Sequence, residues 1–526
     1  MKVLVTEKIA DLGIEKLKKD FEVDIRTDLT PEELKQAIKD YDALIIRSAT
    51  KVTEDIIGNA LKLKIVGRAG IGLDNVDVDA ATRRGIMVAN APQSNIISAA
   101  EHTIALLLAQ ARSIPRAHFT LKAGKWQRSK FEGVEVFDKV LGIIGLGRVG
   151  SLVAARAKGL GMKVIAYDPY VPKDRFAALE IEMVKSLEEL LKEADFITIH
   201  LPKTAETRNI INKEKFALMK DGVRITNTAR GGIVNEKALY EAIKSGKVAG
   251  AALDVFENEP VTDSPLFKLD EVVVTPHLGA STSEAQDKAG IIIAEQVVAA
   301  LKGEFVSNAV NIPAAGAEVL KELKPFLPLA EMLGKLYTHF AQGRMGALDI
   351  EYAGDIAQYD VALLTVAVLK GLFEPIVLEP VTYVNASLLA RDRGIEIREV
   401  RTRAPRDYTN LITLKGENEE GKLSVAGTLI GKRNEPRLVK IYDFDMDISP
   451  SKYMAFFRYA DRPGVIGAVG TTLGKNNINI GTMQVGRDIK RGEAVMGINV
   501  DSPIPQEILD EIRKVAHIKE AKFITF

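Results

Sequence analysis

An apolar run from Val140 to Ile144 leads directly into Gly145-Leu146-Gly147-Arg148-Val149-Gly150, and an alanine-rich helical stretch follows. Few folds accept a strand, a glycine turn and a helix in that order. Gly145 permits a tight turn, Gly147 lets a ligand approach the backbone, and Gly150 lets the helix lie close on the strand. The first amides of that helix have no partners within it and carry partial positive charge, which suits phosphate groups. The next apolar run, Lys163 to Tyr167, ends at Asp168. A carboxylate about 20 residues past the glycines can bind ribose hydroxyls and repel a 2′-phosphate. Lys173 and Arg175 lie nearby and soften that discrimination. A glycine turn and a capping aspartate could each be structural alone. Their spacing and strand–helix setting point instead to a dinucleotide site for NAD.

The 526 residues predict roughly three to four domains. Residues 1–98 alternate apolar runs (KVLVT, ALIIR, KIVGR, IMVAN) with amphipathic stretches, as in a parallel α/β layer. Residues 99–289 repeat that rhythm with six strands: KVLGIIG, KVIAYD, FITIHL, VRITNTAR, GAALDVF and VVVTPH. That is the pattern of a doubly wound Rossmann-type domain. The apolar helix at 291–305 is expected to return the chain to the first lobe. Residues 1–98 and 290–311 then form a discontinuous, flavodoxin-like substrate-binding domain. After Asn311-Ile312-Pro313, residues 312–451 mix helices and strands without a chemical motif, as an intervening regulatory domain. Residues 452–526 read βαββαβ, the ferredoxin-like pattern. The fold class is α/β and two-lobed, with an α+β middle and a ferredoxin-like tail.

Lys plus Arg and Asp plus Glu both number 71, so no global field recruits nucleic acid or a membrane surface. No apolar stretch reaches the roughly 20 residues of a membrane span. The start, MKVLVTEKIADLGIEKL, turns polar after five residues, unlike a signal peptide, and the cytoplasm is the expected location. There are no cysteines, which removes thiolate nucleophiles and thiolate-bound metals, and no metal site is expected.

Three residues just past strand ends carry the chemistry. His277 (VVVTPHLGAST) and Glu259 (DVFENEP) suit an acid/base pair, the carboxylate fixing the imidazole tautomer. Glu257 competes for that role, but Glu259 is preferred. Arg230 (NTARGG) offers a guanidinium fork to a carboxylate, and Gly231 and Gly232 leave room for a ligand. Open α/β sheets bind ligands at such positions. A strand-end His or a Glu before Pro is often structural when alone; together, beside a nucleotide fold, they point to oxidation of a small 2-hydroxy acid.

GLGRVG, NTARGGIVNE, ALDVFENEP and TPHLGAST resemble the D-isomer-specific 2-hydroxyacid dehydrogenase family, a match that covers residues 1–311. The resemblance implies that Arg230 binds the substrate carboxylate and carbonyl, that His277 is the acid/base and that Glu259 is its partner. It also implies that Arg148, Val149, Asp168, Leu201, Thr228, Ala229, Arg230, Asp254, Gly279 and Ala280 line the NAD site with Gly145, Gly147 and Gly150.

Arg47 and Arg68 each end an apolar run and should face the same crevice, as suits a second anionic group on the substrate. RSATKVT and GRAGIGLDNVDVDAA resemble the 3-phosphoglycerate dehydrogenases. That likeness implies that Arg47 and Arg68 hold a phosphate, that amides near Ala69 and Gly70 hold the carboxylate, and that Asn95 lies close by. In such relatives the stretch bearing Lys125, Trp126, Arg128 and Lys130 reaches a neighbouring subunit's site, and a homodimer or homotetramer is implied. YADRPGVIGAVGTTLGKNNINIGTM resembles an ACT domain, which implies L-serine as effector on Tyr459, Asp461 and Asn479. Some relatives carry Asn where this chain has Asp461. Two rivals share much of this pattern. A glyoxylate or hydroxypyruvate reductase needs no second anion clamp, and an NAD-sensing corepressor needs no amino-acid-sensing tail.

Overall fold

Except at its half-polar edge strand, Glu22–Ile25, the first sheet is built from short aliphatic runs buried on both sides. Its strands are β1 (Lys2–Val5), β2 (Glu22–Ile25), β3 (Ala43–Ile46), β4 (Ile65–Arg68) and β5 (Met87–Ala89), all parallel, in the order β2-β1-β3-β4-β5. Side-chain alternation divides its core in two. Val3, Val5, Ile45 and Ile65 pack under Ile293 and Val297 of the helix Ser283–Leu301, while Leu4, Leu44, Ile46 and Val66 pack against Leu34, Ile56 and Ile57. That long helix therefore lies on the first sheet, and Gly67 exists because a Cβ there would stand 2.8 Å from Ile293. The computed structural model describes all residues except 172–180, 315, 342–344, 404–406, 419–420, 489 and 491. Lys173 and Arg175 lie outside the described residues.

The second sheet is also parallel: β6 (Val140–Ile144), β7 (Lys163–Tyr167), β8 (Glu182–Met183), β9 (Phe196–Ile199), β10 (Val223–Asn227), β11 (Val248–Leu253) and β12 (Val272–Val274). Its order, β12-β11-β10-β9-β6-β7-β8, reverses direction between β6 and β9. Six strands are expected from the sequence and seven are present. The extra one, β8, is a two-residue edge strand with no apolar run to announce it. The helix Ile96–Ala111 packs against β10, β11 and β12 and carries Leu107 into the core beside Leu141 and Ile143.

Beyond residue 316 the chain turns to mixed and antiparallel pairing. The third sheet contains β13 (Ala347–Gly354), β14 (Glu396–Thr402), β15 (Asn410–Asn418), β16 (Gly421–Ile430), β17 (Glu435–Ile441) and β18 (Phe444–Ile448), ordered β14-β13-β15-β16-β17-β18. The helices Leu327–Phe340 and Ala362–Phe373 cover it in close contact; a Cβ on Gly371 would stand 1.8 Å from the Glu331 carbonyl oxygen. The fourth sheet, β19 (Tyr453–Ala460), β20 (Ile480–Asp488), β21 (Glu493–Val500) and β22 (Ile518–Thr525), is antiparallel in the order β20-β21-β19-β22. With helices Val465–Lys475 and Gln506–Val515 it gives the ferredoxin-like βαββαβ order. β19 is buried on both faces. Met454 and Phe456 join the core of the third sheet, whereas Ala455, Phe457 and Tyr459 pack under the tail's own helices.

Candidate active site

The glycine turn sits at the reversal point of the second sheet, where ligands bind in open α/β folds. Gly145 takes φ +94°, and a Cβ there would stand 2.7 Å from the His200 carbonyl oxygen at the end of β9. A Cβ on Gly150 would stand 2.2 Å from the Gly145 carbonyl oxygen, so the helix Arg148–Gly159 can lie this close only without a side chain there. A Cβ on Gly147 would meet no atom within 4 Å. Gly147 caps that helix without a side-chain hydrogen bond, leaving its first amides open to an anion. Asp168 accepts the Leu146 amide at 2.8 Å and the Tyr170 amide at 3.0 Å, which ties the end of β7 to the glycine turn. Leu201 flanks Gly145. Beside it His200 is half-buried, and the loss of hydration pushes its imidazole down to about 4. These features fit NAD.

Arg230, Glu259 and His277 follow β10, β11 and β12, so with β8 present they follow the fifth, sixth and seventh strands of the sheet. His277 Nδ1 lies 2.6 Å from Glu259 Oε2, and Glu259 Oε1 accepts the Phe256 amide at 2.9 Å. Burial alone would raise the Glu259 carboxyl. The bonds from His277 and Phe256 outweigh it and hold the group below its ordinary value. With Nδ1 engaged, Nε2 is the nitrogen left for a substrate hydroxyl. Glu257 turns elsewhere, 3.8 Å from Arg208, so of the two carboxylates only Glu259 meets the histidine. Gly231 is obligatory, since a Cβ would stand 1.6 Å from the Phe256 carbonyl oxygen.

The first sheet supplies the facing wall. Arg47 directly follows β3 and Arg68 ends the adjacent β4. The turn after β4 reaches Arg230, whose Nε lies 3.7 Å from Asp74 Oδ2. A Cβ on Gly72 would stand 2.8 Å from an Arg230 terminal nitrogen. Arg68 Nε is buried without a hydrogen-bond partner. Burial, then the neighbouring Arg230 charge, push its guanidinium down, and Glu7 and Asp74 oppose this only in part. A half-buried guanidinium with an unpartnered Nε has donor capacity to spare for an anion. Asn95 Oδ1 is likewise buried and unpartnered. Arg47 is fixed by its backbone: its amide donates to Glu7 at 2.8 Å and its carbonyl accepts Asn75 Nδ2 at 2.7 Å.

Several expected contacts differ. The Ala69 amide donates to the Ile46 carbonyl at 2.8 Å, which continues the β3–β4 pairing, and that of Gly70 closes a tight turn onto the Arg68 carbonyl at 2.9 Å. Gly70 serves Arg68 instead, since a Cβ would stand 1.6 Å from its Nη1. Asp254, expected to face NAD, is fully buried. Oδ1 accepts the Thr275 hydroxyl at 2.6 Å and the Leu278 amide at 2.7 Å, while Oδ2 accepts the Gly279 amide at 2.8 Å. The carboxylate therefore holds the turn through Gly279 and Ala280. Thr228 bonds Thr103 at 2.6 Å, and the Ala229 amide donates to Asn227. Arg148 and Val149 open the glycine-turn helix. Sequence reasoning missed His102, Thr275 and Asn227, which brace these loops.

In the tail, Tyr459 is only 3% exposed and belongs to the core, because both faces of β19 are covered. Asp461 is bound by Arg487 at 2.7 and 2.8 Å, and Asn479 Nδ2 donates to Asp501 at 2.8 Å. The basic stretch is open to solvent, with Trp126 82% exposed and no buried residue in the helix Ile114–Lys122.

Known proteins share this arrangement. Residues 104–279 match the NAD binding domain of the D-isomer specific 2-hydroxyacid dehydrogenases, 322–442 the D-3-phosphoglycerate dehydrogenase intervening domain, and 453–517 the ACT domain. The D-3-phosphoglycerate dehydrogenase of Methanocaldococcus jannaschii is 46% identical over 524 residues, covering 100% of this chain and 99% of its own length. The chain belongs to the D-3-phosphoglycerate dehydrogenase family. The Archaeoglobus fulgidus member is 46% identical over 528 residues, covering 100% of both chains. Among solved structures, D-lactate dehydrogenase from Aquifex aeolicus, in complex with NAD and lactic acid, aligns with a TM-score of 0.53 at 31% identity. It covers 60% of this chain and 100% of its own. The two-lobed fold, the NAD domain and the ACT tail stand accordingly.

Proposed function

We propose that this enzyme oxidises 3-phospho-D-glycerate to 3-phosphohydroxypyruvate, the first step of L-serine biosynthesis. The observation that carries the reading is the half-buried Arg68, whose Nε is buried without a hydrogen-bond partner and whose guanidinium feels the charge of Arg230. A substrate with an anion at each end suits it; a simple hydroxy acid has only one. NAD, when bound, accepts the hydride from C2. His277 Nε2 takes the C2 hydroxyl proton, and Glu259 stabilises the imidazolium that results. Arg230 grips the carboxylate, Arg47 and Arg68 the phosphate. The helix start at Gly147 holds the pyrophosphate, and Asp168, once its oxygens turn from the backbone, the ribose.

In this reading the ACT tail binds L-serine through Asp461 and Asn479 and slows the enzyme. The exposed Ile114, Phe119, Leu121 and Trp126 support a homodimer or homotetramer. No described helix is long and apolar enough to cross a membrane, and the cytoplasm is the proposed location. The test is NADH formation with a panel of D-2-hydroxy acids. Turnover of 3-phospho-D-glycerate is expected; turnover of D-glycerate alone would favour a reductase of unphosphorylated acids, and none at all a sensor.

A further inference from the structure

The helix Ile96–Ala111 lies beneath the loops that follow β10, β11 and β12 and reaches them with three side chains. Ser98 bonds Thr282 at 2.8 Å, Thr103 bonds Thr228 at 2.6 Å beside Arg230, and His102 reaches between them. His102 Nε2 lies 3.1 Å from Thr275 Oγ1 and 3.2 Å from Asp254 Oδ1. The tautomer follows from the partners. Thr275 already donates its hydroxyl proton to Asp254, so it can only accept from His102, and the carboxylate can only accept. Nε2 therefore carries a proton and donates.

Asp254 is the hub of the catalytic turn. Its carbonyl accepts the His277 amide at 2.9 Å, and its carboxylate takes the amides of Leu278 and Gly279. Between these bonds His277 is held at φ +56°, a left-handed conformation that a residue with a Cβ keeps only when its surroundings impose it. The same carboxylate has no exposure to water, so its orientation depends wholly on protein donors. Among the described residues, His102 is the donor that comes from outside the turn.

We propose that His102 is a positioning residue for proton transfer. It anchors the buried Asp254 carboxylate, and through it the turn that presents His277 to the substrate. The inference rests on the dehydrogenase reading above, and it adds a second histidine that touches neither substrate nor cofactor. His102 orients one proton-carrying ring by holding its support.

Two substitutions separate this role from mere packing. His102→Leu fills the space without a donor, whereas His102→Gln places an amide N–H near the Nε2 position. With 3-phospho-D-glycerate and NAD, His102→Leu is expected to lower kcat by roughly ten- to a hundredfold with KM changed by less than about threefold. His102→Gln should recover most of the loss. The imidazole ¹H–¹⁵N spectrum of the unliganded full chain, assigned with His277→Ala, reads the same effect without turnover. The His277 signals should move in His102→Leu and return in His102→Gln. Equal kcat in His102→Leu and the native chain would overturn the proposal, as would unchanged His277 signals or equal impairment of both variants. If the native chain fails to oxidise the substrate, the functional reading falls and the spectrum still decides the positioning.

Discussion

His277 meets Glu259 through Nδ1, 2.6 Å from Oε2, and Glu259 meets the backbone of its own loop through Oε1. One carboxylate thus fixes both the tautomer and the position of the proposed acid/base residue. Replacing Glu259 by Gln should keep the geometry and remove the charge that stabilises the imidazolium. A loss of kcat of about 10²-fold is expected, and about 10³-fold or more for His277→Ala, with the NAD affinity unchanged in both. Steady-state rates and NAD titration check this. The Glu259 carboxyl is held below its ordinary value, so the stability it contributes is complete above the unfolded carboxyl range. It is lost only as pH falls through the lowered native value.

Asp254 gives a second pH signature. Burial would raise its carboxyl, but the bonds from His102, Thr275 and Leu278 hold it below the ordinary range. Such a group stabilises the fold above its unfolded pKa, and the contribution disappears as pH falls through the native one. Asp254→Asn would strand at least one buried amide and should cost about 2–4 kcal/mol at pH 7. Thermal melts between pH 3 and 7 should show the native chain's advantage over this variant shrinking at the acid end.

The glycines of the turn should separate binding from folding. Gly147→Ala meets open space, so the melting temperature should hold while the NAD Kd rises. Gly150→Ala drives a Cβ to 2.2 Å from the Gly145 carbonyl oxygen and should lower the melting temperature by several degrees, about 1–3 kcal/mol of overpacking. Calorimetric melts and NAD titrations of both variants test the contrast.

In the proposed effector site, serine would have to displace Arg487 from Asp461, which that arginine already holds at 2.7 and 2.8 Å. Arg487→Ala should therefore tighten serine binding, and Asp461→Ala should abolish it, as read by titration calorimetry on the full chain.

Much of this was legible in the sequence because the motif residues sit where strands end. Glu259 and His277 follow the apolar runs Val248–Leu253 and Val272–Val274, and Arg230 follows the alternating Val223–Asn227; strand ends can be read from such patterns. Weak edges could not be read. The edge strand β2 is the half-polar Glu22–Ile25, and β14, Glu396–Thr402, is exposed along nearly all its length. The burial of Asp254 and Tyr459 was hidden for a different reason. Each faces a partner remote in sequence: His102 on another helix for Asp254, and the helices packed over β19 for Tyr459. A residue's place on a strand does not reveal which element will cover it.

The most direct test compares kcat/KM for 3-phospho-D-glycerate and D-glycerate in the native chain and in Arg68→Met. The account predicts a strong native preference for the phosphorylated acid that collapses by about 10²-fold or more in the variant, whose kcat changes little and whose unliganded melting temperature does not fall. An undiminished preference in Arg68→Met, or native turnover of D-glycerate as fast as of its phosphate, would contradict it.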